Sequence, residues 1–322
     1  MLPVVGLVAL FLQGAQAPPK PFKATAQLSA PFTLGFQEVV SGSNEKLDTG
    51  TLRTLVVSSA RVGATYPNLA ENVSAGAGEK LLIVRGTLTN LSVVELPISR
   101  TDFMTVRFWE GKGKGEFKYV GVFDPQTHNV VHGSLRKGQS TAFECVVRIP
   151  SAFDPFRVGF YYQNPARIAW YDFKAKLGAM TSAFSPDGFT LSDHAQAGKD
   201  RSFDFDVFRM KVLGASEPGS IGGVSKGEQP LCIVSAEVTN TMLLPARWGW
   251  QYVTPELVMK DGSILTGSRD MIDKATDKTW SGDLPVGATM TAQFVFRPGK
   301  GQVPVAFRLT MIQNKRTIEV LL

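Results

Sequence analysis

A ten-residue segment occurs twice in this chain, once in each half. Residues 81–90 read LLIVRGTLTN, and residues 231–240 read LCIVSAEVTN. Both begin with an apolar run, continue with alternating side chains and end in Thr-Asn. Alternation with a period of two indicates a β-strand that buries one face, and Ile, Val and Thr favour strands. The recurrence predicts two copies of one β-rich module.

The alternation also predicts which face of each strand is buried. The inward sets are Val84, Gly86 and Leu88 in the first copy and Val234, Ala236 and Val238 in the second. Asn90 and Asn240 end the two runs. We expect both to turn the chain, because Asn tolerates the left-handed backbone conformation.

The two copies keep one spacing beyond these strands. Asn90 precedes Asn240 by 150 residues, and the turn glycine Gly138 precedes Gly287 by 149. Turn signals divide each copy into about seven or eight short strands, which is typical of a β-sandwich. We therefore predict an all-β protein built from two tandem antiparallel Ig-like β-sandwich domains.

Composition shifts place the boundaries of these predicted domains. Residues 18–30 are polar and Pro-rich and are interpreted as a tether. Residues 31–173 form the predicted first domain, residues 174–186 the linker and residues 187–322 the second domain.

The amino-terminal residues resemble an export signal. Residues 4–12 form an apolar run, and Ala15 and Ala17 form a small-x-small cleavage site. We therefore predict a signal peptide at residues 1–17, a mature chain that begins near Pro18, and a secreted, periplasmic or cell-envelope protein. The apolar run is too short to span a bilayer, so we expect no transmembrane segment in the mature chain.

The charge pattern restricts the class of partner. The formal net charge is +6, and the excess of Lys and Arg lies before residue 177. No run of basic residues contains interleaved aromatic residues, so we expect no nucleic-acid partner. We expect a protein or glycan of the cell exterior instead. Cys145 and Cys232 each lie inside a strand pattern, and we expect buried thiols rather than a disulfide.

Three short motifs resemble a known group of proteins. They are the strand that ends in Thr-Asn, the following Leu-x-x-Gly turn, and the next strand, which ends in Arg148-Ile-Pro150 or Arg297-Pro298. Together they resemble bacterial exported Ig-like β-sandwich modules of unknown function, of the immunoprotective-extracellular-antigen type. The resemblance covers most of each copy and implies the fold and export. It carries over no catalytic residue.

Few residues point to chemistry. His128 and His132 have a spacing that binds zinc on a helix, but the surrounding residues indicate a strand or loop. Asp270, Asp273 and Asp277 cluster in a predicted loop, where nearby lysines neutralise them. His194 has no visible partner. We therefore predict no metal, no cofactor and no enzymatic activity, and a hydrolase of unrecognised type ranks last.

Aromatic residues recur in the second copy as Trp248, Trp250 and Tyr252. On one strand these positions would share a face. That face is either core or a platform on which sugar rings stack. The sequence thus favours a non-catalytic extracytoplasmic binding or protein-interaction module. The alternative is a glycan-binding protein that uses Trp248 and Trp250.

Overall fold

The computed structural model of the chain describes residues 53–98, 119–154, 176–225, 227–268 and 271–322. It also places strands at residues 22–27, 31–34, 37–39, 46–48, 105–110, 113–116, 157–161 and 167–172. The described residues form an all-β structure without an α-helix. None of them lies in a helix long and apolar enough to cross a membrane. The predicted signal peptide falls outside the described residues.

The residues that the structure describes in the first half of the chain include seventeen strands. They are β1 (Phe22–Gln27), β2 (Pro31–Leu34), β3 (Gln37–Val39), β4 (Lys46–Asp48), β5 (Arg53–Gly63), β6 (Thr65–Tyr66), β7 (Val73–Ser74), β8 (Glu79–Asn90), β9 (Leu96–Ile98), β10 (Thr105–Glu110), β11 (Gly113–Glu116), β12 (Tyr119–Phe123), β13 (Gly133–Leu135), β14 (Ser140–Pro150), β15 (Arg157–Tyr161), β16 (Arg167–Asp172) and β17 (Leu177–Gly178).

The second half contributes strands β18 to β32. They are β18 (His194–Ala197), β19 (Ser202–Phe205), β20 (Phe208–Ser216), β21 (Ser220–Ile221), β22 (Val224–Ser225), β23 (Cys232–Asn240), β24 (Ala246–Trp248), β25 (Val253–Met259), β26 (Ile264–Thr266), β27 (Met271–Asp273), β28 (Lys278–Thr279), β29 (Gly282–Leu284), β30 (Thr289–Phe296), β31 (Pro304–Met311) and β32 (Thr317–Leu321).

Each half builds one five-stranded and one six-stranded sheet. The five-stranded sheets have the orders β1-β16-β15-β10-β11 and β18-β32-β31-β25-β26. The six-stranded sheets run β12-β14-β8-β5-β17, with β2 beside β5, and β19-β20-β23-β30-β27-β28. In both halves the first strand of the five-stranded sheet pairs in parallel with the last. The strand order of the first half is therefore repeated in the second, except for the edge strands β17 and β28.

The parallel first strand corrects one predicted boundary. Residues 22–27 belong to the sheet, although the sequence interpretation placed them in a tether. Their apolar and polar residues alternate, and this period of two outweighs the Pro-rich composition around them. The predicted linker also contains a strand, because β17 pairs with Ala60 and Arg61 of β5.

The two repeated segments lie at the centres of the six-stranded sheets, as β8 and β23. Both pair with antiparallel neighbours on either side. The predicted inward residues Val84, Leu88, Val234 and Val238 are all buried, which confirms the predicted face. Alternation ceases in the first half of β8, where residues 80–84 are buried on both faces. Other parts of the chain therefore cover the outer side of this strand.

A β-bulge recurs at the same place in both copies. The β5–β8 ladder shifts register between Val57 and Ser59, and the β20–β23 ladder shifts between Val212 and Gly214. Bulges bend a strand and increase its twist. Matching bulges give the two six-stranded sheets the same local irregularity.

Asn90 is buried, and its side chain joins two turns to the end of β8. Its amide Nδ2 donates to the carbonyls of Val94 at 2.9 Å and Leu135 at 2.8 Å. Its Oδ1 accepts a hydrogen bond from the backbone N–H of Ser92 at 2.8 Å. One side chain thus satisfies three backbone groups that strand pairing leaves unmatched.

Asn240 repeats this arrangement at the end of β23. It donates to Leu244 at 2.8 Å and Leu284 at 2.9 Å, and it accepts from Met242 at 2.9 Å. The expected left-handed turn was wrong, because neither Asn has a positive φ. Asn is required for its side-chain donors and acceptor, and the positive φ angles belong to the neighbouring turns before β14 and β30, at Gly138 (φ +79°) and Gly287 (φ +69°).

The two sheets of each copy pack face to face. In the first copy the Tyr171 hydroxyl on β16 donates to the Leu55 carbonyl on β5 at 2.6 Å. In the second copy the Phe307 ring on β31 lies 5.1 Å from Phe294 and 6.2 Å from Phe296, both on β30. These contacts cross from one sheet to the other, as in a β-sandwich.

Candidate functional site

A groove of about 700 Å³ lies on the outer face of the five-stranded sheet of the second copy. Its floor is formed by β18, β32, β31 and β25. One wall is the segment that leads into β18, which contributes Ala183, Pro186 and Ser192. We call this feature the sheet groove. Hydrogen-bonded strands on the floor fix the positions of its side chains.

Charged side chains form a row across the floor of the sheet groove. Arg308 on β31 is in register with Glu256 on β25 and with Glu319 on β32. Its Nη2 donates to Glu319 Oε2 at 2.9 Å, and its Nη1 lies 3.8 Å from Glu256 Oε2. Gln196 on β18 continues the row beside Glu319. The row contains one guanidinium and two carboxylates, so it carries one net negative charge.

A second row contains one imidazole and three hydroxyl groups. His194, Thr317, Thr310 and Thr254 are in register across β18, β32, β31 and β25. The hydroxyls of Thr310 and Thr317 are hydrogen-bonded at 2.9 Å. All four side chains are exposed or partly exposed. The sheet groove therefore offers donors and acceptors in two neighbouring rows.

An apolar row borders the charged row on the side away from the hydroxyls. Ala306 is in register with Leu321 and Val258, and Val258 is in register with Ile264. Leu321 is 65% exposed and Ile264 is 52% exposed. Polar and apolar surface thus lie side by side on this sheet.

Trp248 and Trp250, the predicted ligand-binding residues, do not share a strand face. β24 ends at Trp248, and Gly249 has φ +156°, so the chain leaves the strand before Trp250. Trp248 is fully buried, with its ring 4.8 Å from that of Phe208, whereas Trp250 is 39% exposed. The expected platform of stacked rings is therefore wrong in its geometry, and only Trp250 presents surface to a ligand.

The recess beside Trp250 has one further polar feature. Among the described residues, the indole Nε1 of Trp248 is buried without a hydrogen-bond partner. Arg247, Gln251 and Tyr252 line the same recess, whose volume is about 10 Å³. A space of this size admits one water-sized group.

The three histidines lie in different surroundings. His128 lies in a turn with φ +56°, and its ring is 5.9 Å from the Tyr66 ring. The exposed His132 ring nitrogen Nδ1 is 2.8 Å from the Val130 carbonyl. Only His194 lies in the sheet groove.

The aspartates of the predicted acidic cluster stabilise turns. Asp273 is buried and accepts hydrogen bonds from the Ala275 N–H and the Thr276 hydroxyl. Asp277 accepts from the Gly222 N–H. Asp270 lies outside the described residues. In the part of the chain that the structure describes, no three His, Cys, Asp or Glu residues cluster as metal ligands.

Cys145 and Cys232 are buried free thiols. Burial raises the pKa of both, that of Cys232 to about 11. The thiolate is the reactive form, so these side chains act as small core residues.

Sequence reasoning missed a junction between the two copies that Arg316 forms. Arg316 is only 2% exposed, and it follows a turn that the side chain of Asn314 stabilises. Its guanidinium donates to the carbonyls of Ala75, Gly76 and Glu79 at 2.8–3.0 Å. A side chain of the second copy thus binds a turn of the first.

Further contacts strengthen this junction. Lys80 on β8 is buried and donates to the Phe189 carbonyl. Burial lowers the pKa of Lys80. Asp206 lies in a turn with φ +53°. Burial raises the pKa of Asp206, and a hydrogen bond from Ser74 and the charge of Arg316 oppose this shift. A cavity of about 300 Å³, lined by residues of both copies, lies beside these contacts.

A second unpredicted cluster covers the outer side of the first copy. The Tyr66 hydroxyl donates to Glu144 Oε2 at 2.8 Å, and both residues are buried. Arg61 Nη2 lies 3.7 Å from the same carboxylate. Burial raises the pKa of Tyr66, and the hydrogen bond to Glu144 adds to this shift. The cluster attaches β6, through Tyr66, to β14.

Comparison with known proteins identifies no family. No protein-family profile matches this chain, and no curated protein sequence matches it. Among solved structures, an uncharacterized β-sandwich protein from Clostridium difficile 630 is 12% identical, with a TM-score of 0.31; the match covers 49% of this chain and 100% of that chain. A candidate lipoprotein from Bacillus subtilis is 14% identical, with a TM-score of 0.28, and the match covers 38% of each chain.

Proposed function

We propose that this protein is a non-catalytic binding module that acts outside the cytoplasm and binds its ligand in the sheet groove. The observation that carries this proposal is the row of Glu256, Arg308 and Glu319, held on paired strands and partly exposed. The volume of about 700 Å³ suits a small ligand or one segment of a larger one.

The hydroxyl groups of the sheet groove favour binding over nucleophilic catalysis. Thr310 and Thr317 are bonded to each other, and Ser192 Oγ accepts from the backbone N–H of His194. A nucleophilic hydroxyl needs a general base within hydrogen-bond reach. The hydrogen bonds of these three hydroxyls join them to another hydroxyl or to a backbone N–H, and neither of these groups is a general base.

A thermal-shift screen of the full mature chain tests the groove proposal. The probes are soluble sugars, peptides and polyamines, each added in large excess. A ligand that binds only the folded state raises the Tm. We expect at least one class to raise the Tm of the wild type and to leave that of Arg308→Lys unchanged.

The matched control is Arg209→Lys, which alters an exposed ion pair with Asp204 on the other sheet. This variant should keep the ligand-induced shift. A shift that both variants retain would place the binding site elsewhere. Absence of any shift across the three classes would count against the binding role.

The location of the protein is a separate part of the proposal. It rests on the export signal of residues 1–17 and agrees with the resemblance to exported Ig-like modules. Amino-terminal sequencing of the exported protein should give a start near Pro18. A cytoplasmic protein that retains Met1 would contradict it.

We further propose that residues 31–173 and 187–322 form two domains, the first of which also includes β1 (Phe22–Gln27) and β17 (Leu177–Gly178). The repeated strand order supports this division. Each half, expressed alone, should unfold in a cooperative thermal transition. The Tm should be lower than that of the full chain, because the Arg316 contacts are lost.

A second candidate function is glycan binding at Trp250. The exposed ring and the nearby donors of Arg247 and Gln251 favour it. Sugar rings stack on aromatic faces of this kind. Replacing Trp250 by Ala should then abolish sugar binding while the Arg308 variants retain it.

A further inference from the structure

We infer that the sheet groove binds a neutral polyhydroxylated ligand of the oligosaccharide class. This inference rests on the proposed function of the groove and adds the chemical class of its ligand.

The groove combines donors and acceptors in a pattern that suits hydroxyl groups. Glu256 and Glu319 supply acceptor oxygens, and Arg308 supplies donors. Gln196 and the threonine hydroxyls supply both. A sugar hydroxyl also donates and accepts, so it can bridge neighbouring groups. The groups lie on adjacent strands, about 4.8 Å apart, and a chain of sugar rings presents hydroxyls along both edges.

The charge of the row disfavours ionic ligands. A phosphate or carboxylate that approached Arg308 would meet carboxylates on both sides of it. A lysine side chain that approached Glu256 or Glu319 would meet the guanidinium between them. A neutral ligand avoids both repulsions, and it leaves the existing ion pairs intact.

The apolar row adds a surface for the C–H face of a sugar ring. Val258, Ile264 and Leu321 lie on the same face of the sheet, two residues along their strands from the charged row. Pro186 provides a further exposed apolar surface on the wall of the groove. A sugar that bonds to the charged row through its hydroxyls can therefore also cover apolar surface.

Calorimetric titration of the full mature chain tests the ligand class. The probes are neutral hexasaccharides of glucose, mannose and N-acetylglucosamine, with a lysine-rich decapeptide as the comparator. We expect at least one hexasaccharide to bind, with an affinity that changes little with salt, because no ionic contact to the ligand is formed. Affinity should fall about tenfold or more in Arg308→Lys and in Glu319→Gln, since each loses a hydrogen bond to a charged group.

The variants also distinguish a wrong ligand class from a wrong binding site. Arg209→Lys should bind like the wild type, and near-ultraviolet circular dichroism should show all variants folded. Binding of the decapeptide alone, weakened by salt and by Glu319→Gln, would overturn the ligand class while the groove stays a binding site. Sugar binding that is lost in Trp250→Ala but unchanged in Arg308→Lys would also overturn the inference. So would the absence of binding by every hexasaccharide.

Discussion

The guanidinium of Arg316 donates a hydrogen bond to the carbonyl of Ala75 at 2.9 Å, although 241 positions separate the two residues in the sequence. Arg316 belongs to the second copy and Ala75 to the first. This bond and those to Gly76 and Glu79 join the copies through backbone groups of one turn. Arg316 therefore supplies three of the hydrogen bonds across the junction, beside the bond from Lys80 to Phe189.

Replacing Arg316 by Ala should lower the free energy of unfolding by about 3–5 kcal/mol. The change removes a donor from the carbonyls of Ala75, Gly76 and Glu79, of which Gly76 keeps the Glu79 N–H, and it removes a charge that faces Asp206. Chemical denaturation of the full chain measures the loss. The control Arg209→Ala removes a side chain that is 58% exposed and should cost about 1 kcal/mol or less. Equal losses would contradict the role of Arg316.

Asn90→Ala and Asn240→Ala should destabilise the protein to a similar extent. Each leaves two carbonyls and one N–H without a side-chain partner, and an unsatisfied buried group costs about 1–3 kcal/mol. Urea denaturation of both variants measures this. Asn129→Ala, at an exposed position, should change stability by about 0.5 kcal/mol or less. A large effect at Asn90 with none at Asn240 would show that the copies do not share this arrangement.

Leu88→Ala tests the inward face of β8. Leu88 is fully buried, so its truncation should cost about 2–5 kcal/mol. Thr87 lies on the other face and is partly exposed, and Thr87→Ser should cost about 1 kcal/mol or less. Unfolding curves of the two variants compare the faces. Equal costs would mean that both faces are equally covered at this point of the sheet.

The hydrogen bonds of Asp187 predict how the stability of the protein depends on pH. Its carboxylate accepts hydrogen bonds from the N–H groups of Phe189 and Thr190 at 2.8 and 2.7 Å, which lower its pKa to about 2. A depressed carboxyl pKa adds stability that is fully present above the unfolded pKa of about 3.9. That stability is lost as the pH falls towards 2.

The free energies of unfolding of the wild type and Asp187→Asn, measured from pH 7 to 2, test this dependence. The difference between them should be constant above about pH 5 and should shrink below it. A difference that stays constant down to pH 2 would contradict the shifted pKa. An NMR titration of the carboxyl group gives the same pKa directly.

Local patterns predicted the strands but not the roles of several residues in them. The alternation in residues 84–90 fixes which side chains point inward, because strand geometry has a period of two. The burial of Asn90 depends on turns at Val94 and Leu135, which the alternation does not contain. The inward faces were therefore predictable, whereas the reason for Asn was not.

The candidate site was less predictable because it depends on strand neighbours. Glu256, Arg308 and Glu319 meet only because β25, β31 and β32 pair in one register. Trp248 and Trp250 looked equivalent in sequence, but the turn at Gly249 buries one ring and exposes the other. The Asn-Lys-Arg sequence at residues 314–316 signals a turn, and nothing local indicates that Arg316 crosses to the first copy.

Mapping of amide chemical shifts by NMR tests the binding role most directly. The full mature chain is titrated with the compound that gives the largest thermal shift. The amide signals of Gln196, Glu256, Arg308 and Glu319 should shift together and saturate, while the signals around Trp250 stay in place. Shifts confined to Trp250 and its neighbours, or scattered over both copies, would contradict it.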